Sequence, residues 1–156
     1  MPVTGTPVTP VVVTTDQIRI FLRDKAENNI LLDAVQFTQK EVDQAVSFAC
    51  DNYNAMTPMS NATPSNFPNR YLLLIGTCKY LMLSETFTQV RNSAVYQDGD
   101  MANLGISEKA AQYSQLFGLI KGEWDELSRA MKNQINQEGC YTSLGSGYRS
   151  TSRYNS

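Results

Sequence analysis

Histidine is absent from this chain of 156 residues, and most of the chemistry open to a small domain goes with it. Ser-His-Asp and Cys-His catalysis, imidazole proton transfer and zinc sites that need a histidine are all removed. Carboxylates are the next candidates. Glu41 and Asp43 stand two apart, and Asp125 and Glu126 are adjacent, so neither pair shares a helix face. Both pairs read as solvated surface. The segment Asp98-Gly99-Asp100, with Asn103 and Gly105 after it, superficially matches a calcium loop. It has Ala102 where a third side-chain ligand belongs, and it lacks the closing bidentate Glu, so it reads as an interhelical turn. Cys50, Cys78 and Cys140 are odd in number, far apart and free of any C-x-x-C spacing. They point to a reducing compartment, with the first two as small buried thiols. Gly76, Gly118 and Gly122 lie within helical patterns and form no phosphate loop. The expectation is a protein that is not an enzyme, with no cofactor and no metal.

The remaining composition bounds what such a chain can be. Thirteen basic and fifteen acidic residues leave a net charge of −2, which argues against a nucleic-acid-binding face. With 42% hydrophobic and only 18% charged residues, the chain has enough apolar material for one core and little charge for a solvated monomer surface. Residues 1–13 carry no basic region and are broken by three prolines, so no signal peptide is expected. The most apolar run, Tyr71 to Leu83, contains Lys79 and falls short of the roughly 20 residues a membrane span needs. It reads as a core helix, and no membrane is expected as a partner.

Proline divides the chain into elements that must position everything else. Pro2, Pro7 and Pro10 make residues 1–13 an extended arm; Pro58, Pro64 and Pro68 place a long polar loop over 55–69; none follows. The spacing predicts a helical domain over 14–139. A first short helix opens at Thr14-x-x-Gln17, shows Ile18, Phe21 and Leu22 on its apolar face, and stops near Asp24. A second opens at Thr38-x-x-Glu41 and carries Val42, Ala45, Val46, Ala49, Cys50 and Tyr53. A third runs from about Arg70 to Tyr96. It is apolar all round at first, then amphipathic through Phe87, Val90 and Ala94. A fourth opens at Ser107 and bears a heptad stripe of Ile106, Ala110, Tyr113, Phe117, Ile120, Trp124, Leu127 and Met131, with Gly139 as its stop. The fold class is therefore all-α: four helices, two of them long and C-terminal, with extended arms at both ends.

Two features suggest contact with other chains. Ser114, Gly118 and Gly122 form a small-residue ridge beside the heptad stripe, suited to close approach of a helix from the same fold or from a neighbouring subunit. The tail, residues 140–156, has no acid and carries Tyr141, Tyr148, Arg149, Arg153 and Tyr154. Those residue types anchor protein interfaces, while a nucleic-acid role would rest on only two arginines.

One stretch resembles a known family. Leu83-Ser84-Glu85, then Arg91-Asn92-Ser93-Ala94-Val95-Tyr96-Gln97-Asp98-Gly99, then a helix beginning Ser107-Glu108-Lys109 with Tyr113 following, is similar to virion structural proteins of tailed bacteriophages. In these an R-N-S-x-x-Y-x-D-G-like segment leads into a long terminal helix, and Arg91, Asn92, Ser93, Tyr96, Asp98 and Gly99 carry the match here. The order of helices from residue 15 onward resembles the head–tail connector, or adaptor, proteins of such phages. The chain departs at Asp100, where a second glycine is commoner, and in its polar tail. The resemblance implies a homo-oligomeric ring, commonly dodecameric, in the virion neck. It would be assembled in the host cytoplasm, bound to the portal protein and to a tail or neck protein, with DNA passing through without specific binding. Other readings are a tail-completion, tail-hub or capsid-associated protein or, from a different class, a small helical nucleic-acid-binding or regulatory module.

Overall fold

The computed structural model describes residues 12–29, 33–95 and 106–151, with side chains up to Arg91 in the second stretch and over 110–139 in the third. The elements are α1 (Thr15–Leu22), a 3-10 turn (Ala26–Asn28), α2 (Gln39–Ala55), α3 (Arg70–Val95) and α4 (Ile106–Thr151). No strand occurs among the described residues.

Local chemistry sets the helix starts. Thr14 and Gln17 make a reciprocal capping box on α1, and Thr38 and Glu41 make the same box on α2. At α3 the cap is Asn69, whose side-chain oxygen accepts from Leu72 N–H at 3.1 Å. α1 ends through Arg23, a non-glycine residue held in the left-handed region at φ 58°.

α3 and α4 form an antiparallel hairpin, and α2 lies against α3. Leu72, Leu73, Ile75, Cys78 and Leu81 of α3 are buried, together with Val42, Ala45, Ala49, Cys50 and Tyr53 of α2, Ile18 of α1 and Trp124 of α4. The second half of the α4 heptad stripe faces this core, with Ile120, Leu127 and Met131 packed on it around Trp124; Ala110, Tyr113 and Phe117 are half-buried outside that cluster, and the side chain of Ile106 lies outside the described residues. Val13 is buried as well, so the last residue of the expected N-terminal arm belongs to the domain; residues 1–11 lie outside the described residues.

Three expectations are corrected. Phe21 is exposed because α1 is short and rests on the core through Ile18. Phe87 and Val90 do not make the inner face of α3's second half. Met82 and Glu85 do, with the Glu85 carboxylate accepting from Gln89 Nε2. The third correction concerns the tail. Gly139 does not stop α4, which continues as helix through residue 151, so 140–151 is no extended arm. A helical glycine costs only about 1 kcal/mol relative to alanine, and with no proline downstream an established helix keeps adding one hydrogen bond per residue.

Candidate functional site

At the crossing of α2, α3 and α4 three polar side chains converge. Gly76 makes the crossing possible: a Cβ there would collide with the six-membered ring of Trp124 at Cζ3. The indole N–H of Trp124 donates to Asn52 Oδ1 at 3.0 Å, and the Lys79 ammonium donates to the same oxygen at 3.3 Å. Lys79 Nζ lies 4.5 Å from the ring centroid of Tyr80 and 4.7 Å from that of Trp124. Two aromatic faces and one amide thus stand where a carboxylate would usually sit. Desolvation pushes the Lys79 amine down to about 8; Asp125 works against that fall and Lys121 adds to it.

A second buried lysine ties the proline-rich loop to α4. Lys132 Nζ donates to the carbonyl of Pro58 at 2.7 Å and to Ser60 Oγ at 2.8 Å, and stands 4.1 Å from the Tyr53 ring centroid. Asn54 closes the loop from the other side, donating to the Ala62 carbonyl and accepting from Ala62 N–H. A long loop without regular structure is thereby folded onto its own helices as a compact Ω-type segment. Near the N-terminus, Asp24 organises the chain entering α2: its oxygens accept from the N–H groups of Gln36 and Phe37, from Asn29, and from Arg19 at 3.3 Å. None of these three buried polar centres follows from local spacing. Lys79 sits in an apolar run, and Asn52 and Asp24 carry no pattern at all.

The expected chemical candidates are engaged locally. Glu41 closes the α2 cap, Asp43 accepts from Gln39, and Asp125 pairs with Lys121 at 2.9 Å, while Glu126 is exposed. Cys50 and Cys78 are buried free thiols, pushed by burial up to about 11 and about 12, with Asp51 adding to the shift at Cys50. Among the described residues no group of three or more His, Cys, Asp and Glu side chains could hold a metal, and no helix is long and apolar enough to cross a membrane.

The expected contact residues fall on the outside of the molecule or beyond description. Ser114, Gly118 and Gly122 are exposed, and nothing lies within 4 Å of a Cβ built at either glycine. No helix of this chain packs on that ridge among the described residues, so the within-fold version of the expectation is corrected; the helix-contacting glycine is Gly76. Arg91 is exposed on α3; Asn92 and Ser93 lie in α3 without described side chains, and Tyr96, Asp98 and Gly99 lie outside the described residues. Tyr141, Tyr148 and Arg149 are positions of α4, again without described side chains; Arg153 and Tyr154 lie outside the described residues.

The outer surface carries an apolar patch that the inner stripe does not explain. Leu116 is 49% and Leu119 71% exposed on α4, and Tyr71, also exposed, donates its hydroxyl to Glu123 at 2.6 Å beside them. Beyond Lys132, every side chain from Asn133 to Gly139 is exposed. No protein-family model, curated protein or solved structure matches the chain.

Proposed function

We propose that this chain is a non-enzymatic structural subunit of a tailed-phage virion: a head–tail adaptor that forms a ring beneath the portal and joins capsid to tail. The observation that supports it most is α4. This helix of 46 residues, about 69 Å at 1.5 Å per residue, uses its middle third to complete the core. It then runs on past Lys132 as a helix whose described side chains all face water. A projecting helix of this kind is a poor investment for a monomer and a natural docking element for an assembly.

The acidic balance suits a channel through which DNA passes, since phosphate-binding lysines and arginines would retard it. The sequence resemblance over 83–113 supplies the phage setting and the portal as partner. A tail-completion or tail-hub subunit would use the same helix and differ in what it binds.

The test is to mix the full chain with portal rings of the same phage and image the product by electron microscopy. A ring of additional density on the tail-proximal face of the portal is the expected result. A chain that leaves the portal bare and does not join capsids to tails overturns the proposal.

A further inference from the structure

The turn that ends α1 has no cause in the local sequence. Between Pro10 and Pro58 there is neither glycine nor proline, and the residues from Thr15 to Asn28 could run as one helix. Ile18, Leu22 and Ala26 would then share one face at i, i+4 and i+8. The chain instead turns at Arg23, whose φ of 58° is a conformation that glycine usually supplies at a helix end, and it resumes as the 3-10 turn at Ala26. Tertiary contacts hold the turn. Asp24 accepts from the N–H groups of Gln36 at 2.6 Å and Phe37 at 3.1 Å, and from Asn29 at 3.0 Å. These bonds fold α1 back over Phe37 and Gln39 at the root of α2. There Ile18 is buried, Arg19 donates to the Phe37 carbonyl at 2.9 Å, and Gln39 donates to Thr15 at 2.7 Å.

We propose that this turn is a hinge with two settings, and that in the open one α1 docks on a second copy of the chain. Opening returns Arg23 to ordinary helical backbone, joins α1 to the turn at Ala26–Asn28 and lifts Ile18 off its own core. The freed seat at the α2 root then takes α1 of the neighbour, with the same Ile18, Arg19 and Thr15 contacts. The occupant is a second copy because the fit of this seat to this helix is already displayed within one chain. From Asn29 to Gln36 the chain can extend over roughly 26 Å, enough to carry α1 across to a neighbour. Opening loses the Asp24 bonds. It gains helical residues and relief at Arg23, and the neighbour covers Ile20 and Phe21, which are exposed when α1 is folded back. Exchange of an identical element needs no new kind of contact, which makes it a low-cost route to association. The inference stands on α1 and its seat and goes beyond the adaptor reading.

Cross-linking with a short bismaleimide tests it, in full-length chains carrying Cys140→Ser; Cys50 and Cys78 are buried. Chains with Thr15→Cys and chains with Gln39→Cys are mixed in urea, refolded together and cross-linked. Heterodimers joined between those two positions are expected. A chain carrying both substitutions reports α1 seated at home, by cross-linking within itself. Arg23→Gly eases the turn and should lower the heterodimer yield several-fold. Asp24→Ala removes the latch and should raise it several-fold. A mixture without heterodimers overturns the proposal, as does a yield that neither variant moves or that both move in the same direction. If circular dichroism shows that Asp24→Ala does not fold, Arg23→Gly decides alone: an equal or higher yield overturns the hinge. Portal binding is no part of this readout, so the adaptor reading stands or falls separately.

Discussion

Within α4, the turns around Trp124 and the turns beyond Lys132 are built on opposite terms. Around Trp124 the indole N–H, the Lys79 ammonium and the Asn52 amide share one hydrogen-bonded knot, with Gly76 cut back to make room. Beyond Lys132 the side chains up to Gly139 are exposed while the backbone stays helical. One helix thus places stability and outward presentation on successive stretches. A residue's weight in the fold depends on which stretch it occupies more than on its hydrophobicity. Leu119 is exposed, while Lys79 and Lys132 are buried.

Truncation should expose this contrast most strongly. Trp124→Ala removes the side chain on which three helices meet and should cost about 3–5 kcal/mol in urea unfolding. Ile135→Ala, on the exposed stretch, should stay within about 0.5 kcal/mol of wild type. Equal losses at the two positions would erase the distinction. Gly76→Ala is the next largest: the added methyl must displace the Trp124 ring, and a loss of about 1–3 kcal/mol in thermal melts is expected. A neutral Gly76→Ala would mean that the crossing has slack.

The buried ionisable groups sharpen the contrast through pH. Lys79 has its folded value lowered to about 8 from 10.5, so between those values the unfolded chain holds a proton that the fold has released. Stability from this group therefore rises with pH across that window, and Lys132, lowered by desolvation, acts in the same direction. Cys50 and Cys78 act oppositely. Their folded values of about 11 and about 12 exceed the ordinary 9.0, so above pH 9 the unfolded chain has lost protons that the fold keeps, and stability falls. Unfolding free energy should rise gently from pH 8 to 9 and decline above it. Lys79→Met should reduce the rise and leave the decline, and a curve unchanged by Lys79→Met would show that the amine stays protonated in the fold.

The smallest effects lie on the outer ridge. Gly118→Ala and Gly122→Ala meet open space, and each should stabilise the isolated subunit by about 0.5–1 kcal/mol through helix propensity alone. A loss of stability in calorimetry would show that the ridge is covered.

What could be read from the sequence was what local spacing determines. Thr14/Gln17 and Thr38/Glu41 satisfy helix-start donors within four residues, so both capping boxes formed where their spacing placed them. The α4 stripe repeats every three or four residues, so its inward face from Ile120 to Met131 was readable as well. Asp24, Asn52, Lys79 and Lys132 were not readable, because their hydrogen-bond partners lie between 5 and 74 residues away and no period connects them. The two kinds of glycine show the same limit. Gly118 and Gly122 drew notice by their spacing, yet the glycine under another helix is Gly76, whose requirement exists only once α4 lies across α3. The end of α4 failed for a different reason: a single glycine is a weak stop when the turns on both sides favour continuation. Of the candidate contact residues, the sequence singled out the ridge and the tail but passed over Leu116 and Leu119, which look like core residues until the neighbouring stripe is seen to fill that role.

Trp124 is the single tryptophan of the chain, and its ring touches Gly76 while its N–H is held by Asn52 and a lysine ammonium stands over its face. Its fluorescence is therefore an optical gauge of one place, the crossing of three helices. Emission from the folded subunit should be blue-shifted by burial, and it should move to the red when that crossing opens. Because the projecting end of α4 lies many turns away, docking there should leave the signal nearly unchanged. A colour change on assembly would report that binding at the tip is felt in the core.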